Sequence, residues 1–229
     1  MIKMTIVMNL FRLLLLVTGY VTALRTISKA PTIKASTLRN NNNQKQIVIL
    51  GGSGRIGSAV AIHLLERDSD CNVILVGRRQ SQIDAAIQEV TKSITSDVRH
   101  RVSGSQIDSI WDESCTKFQS LVNASADCLI HTAGPYLDQK PTPLKMALQS
   151  DRCKAYIDVS DPLPYLEQSL LMSEEAKTSN LTALVAAGAF PGMSNLLAKE
   201  ASFVLGTRVQ DIRFHYFTAG LGGFYFLWV

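Results

Sequence analysis

Residues 46–57 read Gln-Ile-Val-Ile-Leu-Gly-Gly-Ser-Gly-Arg-Ile-Gly, an apolar run that stops in a glycine cluster. Gly52, Gly54 and Gly57 carry the spacing G-x-G-x-x-G. The residues before them have strand character. Those after them have helical periodicity, with Ile56, Val60 and Leu64 predicted on one face. A strand, a tight turn and a helix in this order cradle a dinucleotide pyrophosphate. Gly52 is expected to make the turn, Gly54 to let the backbone approach the phosphates, and Gly57 to let the helix pack on the strand. Free N–H groups and the positive end of the helix dipole would face the anion. Ser53, Arg55 and Ile56, between the glycines, complete the predicted cradle.

The second strand, Asn72–Val76, ends in Gly77, Arg78 and Arg79. A site that prefers NAD carries an acid there for the ribose hydroxyls. Here the neighbouring acids are Asp70, before the strand, and Asp84, inside the next helix. Two guanidiniums suit the 2′-phosphate of NADP, because Arg binds phosphate bidentately and stays charged. NADP is therefore the expected cofactor, with NAD possible. A solvated basic turn is the plainer alternative for the Arg pair.

The chain has 229 residues and a net charge of +4, but the charge is unevenly spread. Residues 1–45 hold seven Lys or Arg and no acid; without them, 16 basic residues face 19 acidic ones, a net charge of −3. A mildly acidic folded part predicts no nucleic-acid partner. The first 45 residues read as a targeting presequence. Residues 1–23 resemble a signal peptide, with an apolar stretch from Leu13 to Ala23. Residues 24–45 are basic, hydroxylated and acid-free, as transit peptides are. In tandem they resemble the bipartite presequences of complex-plastid algae; Leu24 stands where those usually carry an aromatic residue. Mitochondrial import, secretion and a membrane anchor stay open, and membrane contact is expected only through this leader.

Cys71, Cys115, Cys128 and Cys153 lack disulfide or metal-ligand spacing and read as reduced packing residues, and the four histidines show no metal-ligand spacing either. Beyond residue 45 the pattern alternates. Strands are predicted at 46–51, 72–77, 98–103, 127–132, 155–159 and 182–187. Helices are predicted at 55–67, 81–92, 109–123, 142–150, 164–179 and 193–204, with Ser81 capping the second and Ser194 or Asn195 the last. Short apolar runs expected to be buried on both faces, with helical crossovers, imply an α/β fold, a doubly wound parallel Rossmann sheet over residues 46–190. Residues 191–229 read as the start of a truncated α/β second domain. In it, 211–217 alternate like a half-exposed strand, and no partner strand is evident.

Three further strand ends narrow the family: Leu129–Tyr136 with the Ala133-Gly134-Pro135 turn, Tyr156–Asp161, and Ala187–Asn195. Together with the glycine loop, these motifs resemble the saccharopine dehydrogenase-like (saccharopine reductase) family over about residues 46–223. The resemblance implies an NAD(P)-binding Rossmann domain and an α/β substrate and dimerisation domain, hence a small amino-acid-like substrate and a possible homodimer. It also implies hydride transfer at a C–N centre. Ala133, Gly134 and Pro135 lie where cofactor ribose and nicotinamide should pass. His131, Asp158 and Asp161 have both structural and functional readings, and no catalytic acid or base is identified. One competitor is the short-chain dehydrogenase pattern, which Tyr136 and Lys140 would serve as a Y-x-x-x-K pair; Pro141 disfavours the helix that this pair needs. The other is a Rossmann unit that holds nucleotide without turnover.

Overall fold

The computed structural model describes residues 3–9, 44–95, 97–206 and 211–217. The chain divides into two units, residues 36–193 and residues 1–35 with 194–229. The larger unit carries the glycine loop. Six strands, β2 (Lys45–Leu50), β3 (Cys71–Gly77), β4 (Val102–Gln106), β5 (Cys128–His131), β6 (Ala155–Asp158) and β7 (Thr182–Leu184), form one sheet in the order β4-β3-β2-β5-β6-β7. Every pairing is parallel. The chain steps from β2 outward to β3 and β4, then returns past β2 to β5. This reversal puts the switch point of the sheet between β2 and β5, directly above the glycine loop.

Helices cover both faces: α1 (Arg55–Arg67), α2 (Gln80–Ser93), α3 (Thr116–Ser125), α4 (Thr142–Leu148), α5 (Leu163–Leu170) and α6 (Ser173–Thr178). Alternate residues of β2 divide between two cores. Ile47 and Ile49 pack with Ala61, Leu65, Ile83 and Val90 of α1 and α2. Val48 and Leu50 pack with Phe118, Val122, Leu144 and Tyr156 on the opposite side. Burial on both faces is why β2 reads as an unbroken apolar run.

Several predicted boundaries move, each for an identifiable reason. The strand expected at 98–103 starts only at Val102, after a 3₁₀ turn at Arg99–Arg101. Arg101 is buried, and its guanidinium donates to the carbonyls of Leu65, Asp68 and Cys71, which holds the chain away from the sheet until the next residue. The helix expected at 109–123 starts at Thr116, because Ser109 and Asp112 accept from the backbone N–H groups of Trp111 and Ser114 and make turns instead. The helix expected at 164–179 breaks into α5 and α6, where the Met172 N–H bonds the Ser169 carbonyl three residues back. The strand expected at 182–187 stops at Leu184, since Ala186 adopts φ 55°. Ser81 does not cap α2, whose N-cap is Arg79.

In α1 the buried face is Gly57, Ser58, Ala61 and Leu65, not the predicted Ile56, Val60 and Leu64. Close approach at Gly57 turns the helix so that Ile56 is 55% exposed, while Val60 and Leu64 pack only at the edge of the core.

The smaller unit holds α7 (Met193–Leu205) and a strand pair, β1 (Lys3–Asn9) parallel to β8 (Asp211–Phe217). This corrects one expectation: residues 211–217 have a strand partner, which Lys3–Asn9 supply through backbone pairing from Lys3↔Asp211 to Asn9↔Phe217. The apolar stretch at 13–23 and the transit-like residues 24–43 lie outside the described residues. Ser194 and Asn195 lie inside the first turn of α7 rather than at its cap.

Candidate dinucleotide site

The glycine loop is shaped by contacts that exclude side chains. A Cβ on Gly52 would sit 2.8 Å from Leu75 Cα in β3, and one on Gly57 would sit 2.7 Å from Gly52 Cα. Gly54 is exposed and serves as the extended N-cap of α1. The first-turn N–H groups of a helix have no partner within it and project from its end. No acidic residue stands in that turn of α1 to oppose an anion. Gly54, Arg55 and Ile56 form the exposed rim, and Ser53 lies half-buried behind them. The loop fits a pyrophosphate by shape and by polarity.

Sequence reasoning missed three supports of this loop. Gly51 adopts φ 74°, and a Cβ there would meet the Ala133 backbone at 2.8 Å, so the loop abuts the turn that follows β5. Its signal was the doubled glycine, of which only the second fits G-x-G-x-x-G. The buried Ser58 hydroxyl donates to the Gly52 carbonyl at 3.1 Å and ties the loop to α1. A Cβ on Gly77 would meet the Ser53 hydroxyl at 2.6 Å, which presses the end of β3 against the loop.

Arg78 and Arg79 are exposed just beyond β3, and the Arg78 carbonyl accepts from the Gln106 amide at 3.1 Å. Their guanidiniums belong to the β3 side of the switch point. On the β5 side, Ala133 is half-buried, and Gly134 and Pro135 are exposed. The structure thus spaces the eleven predicted residues along the C-terminal edge of the sheet, cations at one end and the Ala133–Pro135 turn at the other.

The remaining candidates separate by burial. His131 is fully buried, its ring centroid 5.0 Å from Trp111 and 4.8 Å from Tyr136. Burial pulls its pKa down to about 3, so the imidazole is neutral and packed rather than poised for proton transfer. Tyr136 is buried too. Its hydroxyl donates to the His131 carbonyl at 2.7 Å, and burial, with Asp158 nearby, pushes its pKa up. Lys140 precedes α4, which begins at Thr142, so Tyr136 and Lys140 share no helix and form no short-chain catalytic pair. Asp158 is wholly buried, whereas Asp161, three residues on, is exposed. All four cysteines are free thiols; burial first, then neighbouring groups, raises Cys128 to about 12, and burial raises Cys153 to about 11. A cavity of about 230 Å³ lies elsewhere, lined by Leu144, Leu170, Met172 and Val185 together with Ser169 and Lys177, and touches none of the cradle.

The saccharopine dehydrogenase NADP binding domain matches residues 47–184, more than half of the chain. Among solved structures, the chain is similar to the apo saccharopine dehydrogenase (L-Glu forming) of Saccharomyces cerevisiae, at 18% identity and a TM-score of 0.53. That alignment covers 70% of this chain and 31% of the yeast enzyme, so the chain spans about a third of its length. A yeast methylglyoxal/isovaleraldehyde reductase, Gre2, complexed with NADPH aligns at 14% identity and a TM-score of 0.42, over 61% of this chain and 52% of that one. The terminal R domain of the myxalamid pathway aligns at 17% identity and a TM-score of 0.45, over 64% and 49%. No curated relative matches. With the match spanning the glycine loop, both arginines and the Ala133–Pro135 turn, the chain belongs to the saccharopine dehydrogenase family through its NADP binding domain.

Proposed function

We propose that the protein is an NADP-dependent oxidoreductase acting at a C–N centre of an amino-acid-like substrate. The observation that carries the NADP part of this is the cradle itself: a glycine-shaped loop at the switch point, with Arg78 and Arg79 on one side and Ala133–Pro135 on the other; the C–N chemistry is what membership of the family suggests. NADP supplies the hydride acceptor when bound. Backbone N–H groups of the loop and the α1 terminus would hold the pyrophosphate, and the arginines would hold the 2′-phosphate. The Ala133–Pro135 turn, after β5, would then flank the nicotinamide half. Asp161, exposed after β6, is suited to accept a hydrogen bond from a substrate ammonium.

In the oxidative direction the substrate carbon would give its hydrogen as hydride to bound NADP, the amine becoming an imine with loss of a proton, and water would then split the imine into an amine and a carbonyl compound. The residues of this chain contribute position: they fix the nicotinamide beside the carbon that reacts. The test is a panel of amino acids carrying a secondary amine, saccharopine first, incubated with NADP and the protein. NADPH should form, and a Gly54→Asp variant, whose carboxylate would occupy the cradle, should form none. If no member of the panel is oxidised while NADP still binds, the C–N assignment fails and the alternative, a unit that holds nucleotide without turnover, takes its place.

A further inference from the structure

Asp158 stands at the C-terminal end of β6 with no exposed surface. Its Oδ1 accepts three hydrogen bonds: from the Ser160 hydroxyl at 2.6 Å, the Ser160 N–H at 3.1 Å and the Ala186 N–H at 2.9 Å. Its backbone carbonyl accepts a fourth, from the Ala187 N–H at 2.8 Å. One residue therefore ties the end of β6 to the chain leaving β7. Ala186 is held at φ 55°, in the left-handed region that a residue with a Cβ seldom adopts. The chain then folds back on itself, with Gly188 bridging to Gly192 and the Met193 N–H donating to the Gly188 carbonyl at 2.9 Å. A Cβ on Gly188 would lie 3.4 Å from the Val159 carbonyl, so the loop rests against the residue after Asp158. The connection runs on to β5, because the Val159 N–H reaches the His131 carbonyl at 3.4 Å, where Tyr136 also donates.

The position of this latch gives it a role. On that assignment the glycine loop and the arginines would take the pyrophosphate and the adenosine half at β2 and β3, which leaves the ends of β5 and β6 for the other half of the cofactor. We infer that Asp158 is a positioning residue for the nicotinamide half of the cofactor, fixing the 186–192 loop as the far wall of the cleft without itself touching the ligand. Asp158 Oδ2 has no hydrogen-bond partner among the described residues, so the network above rests on Oδ1 alone. A neutral acceptor of the same shape should then serve nearly as well as the carboxylate.

This inference rests on the cofactor assignment above, and the experiment separates the two. Titration calorimetry on the full chain compares NADPH with adenosine 2′,5′-bisphosphate, which carries the adenosine half alone. Asp158→Ala should weaken NADPH by about tenfold or more, the loss expected for an anchoring hydrogen bond, while the bisphosphate stays within about twofold. Asp158→Asn keeps an acceptor at Oδ1 and should restore NADPH to within about threefold of the unmodified chain. Ser160→Ala removes the hydroxyl donor to the same Oδ1 without a backbone change, and should give the same split, smaller in size, if Asp158→Ala does not fold. Equal weakening of both ligands would reduce Asp158 to a stabilising residue and overturn the inference, as would unchanged NADPH affinity in the Ala variant. If the unmodified chain does not bind the bisphosphate, the cofactor assignment fails and the latch has nothing to position.

Discussion

His131 ends β5 inside an aromatic cluster, with Trp111 against its ring and Tyr136 bonded to its carbonyl. The fold holds this imidazole neutral, and that has a consequence for pH. Its folded pKa is about 3, while an unfolded His titrates near about 6.5. Between those values the unfolded chain binds a proton that the folded chain refuses. The stabilisation is therefore complete above about pH 6.5 and declines as the pH falls, by about 1.4 kcal/mol per unit. His131→Phe keeps an aromatic ring and removes the titration. Measured by urea unfolding at pH 6.5 and 5, the unmodified chain should lose about 2 kcal/mol more than the variant does. Parallel losses would mean that the His131 site admits a proton after all. At this scale the sequence was partly legible. The glycines at 52 and 57 were legible through spacing, because only a residue without Cβ permits the close approaches found there. His131 and Asp158 did not, since a strand-end His or Asp has the same local pattern whether its side chain is exposed or sealed by helices far off in sequence.

α2 and β4 show what sets the fit between elements. A Cβ on Gly104, in β4, would overlap the Ile83 side chain of α2 and lie 3.2 Å from Ile87. The helix can lie this close to the sheet because that position is empty. Gly104→Ala should cost about 1–3 kcal/mol of stability through overpacking. Combined with Ile83→Ala, which opens the space, the total should fall short of the two separate losses. Denaturant midpoints of the three variants check this, and strict additivity would contradict the contact. Gly104 escaped notice because β4 was expected at 98–103, four residues too early at its start. The shift traces to Arg101, whose three bonds to backbone carbonyls at the end of α1 and the start of β3 join residues about 30 positions apart. The early end of β7 has the same origin in the Asp158–Ala186 bond. Apolar periodicity located these elements; long-range polar contacts decided where they stop.

At the scale of the whole molecule, the strand order made the site. Alternating strands and helices with buried apolar strands left a doubly wound parallel sheet as the expected fold, and the six-stranded order agrees with it. The strand pair β1 and β8 was not legible, because its two halves lie about 200 residues apart. Within the larger unit, the switch point between β2 and β5 brings together residues 51–57, 77–79 and 133–135, which no local pattern connects. The account depends most on that convergence being an NADP site. The direct test is titration calorimetry of the chain with NADPH and NADH, alone and with Arg78→Ala and Arg79→Ala combined. NADPH should bind more tightly by about tenfold or more, and the double variant should lose most of that preference, since each guanidinium contact to the 2′-phosphate is charge-assisted. Equal affinity for NADPH and NADH in the unmodified chain would contradict the account.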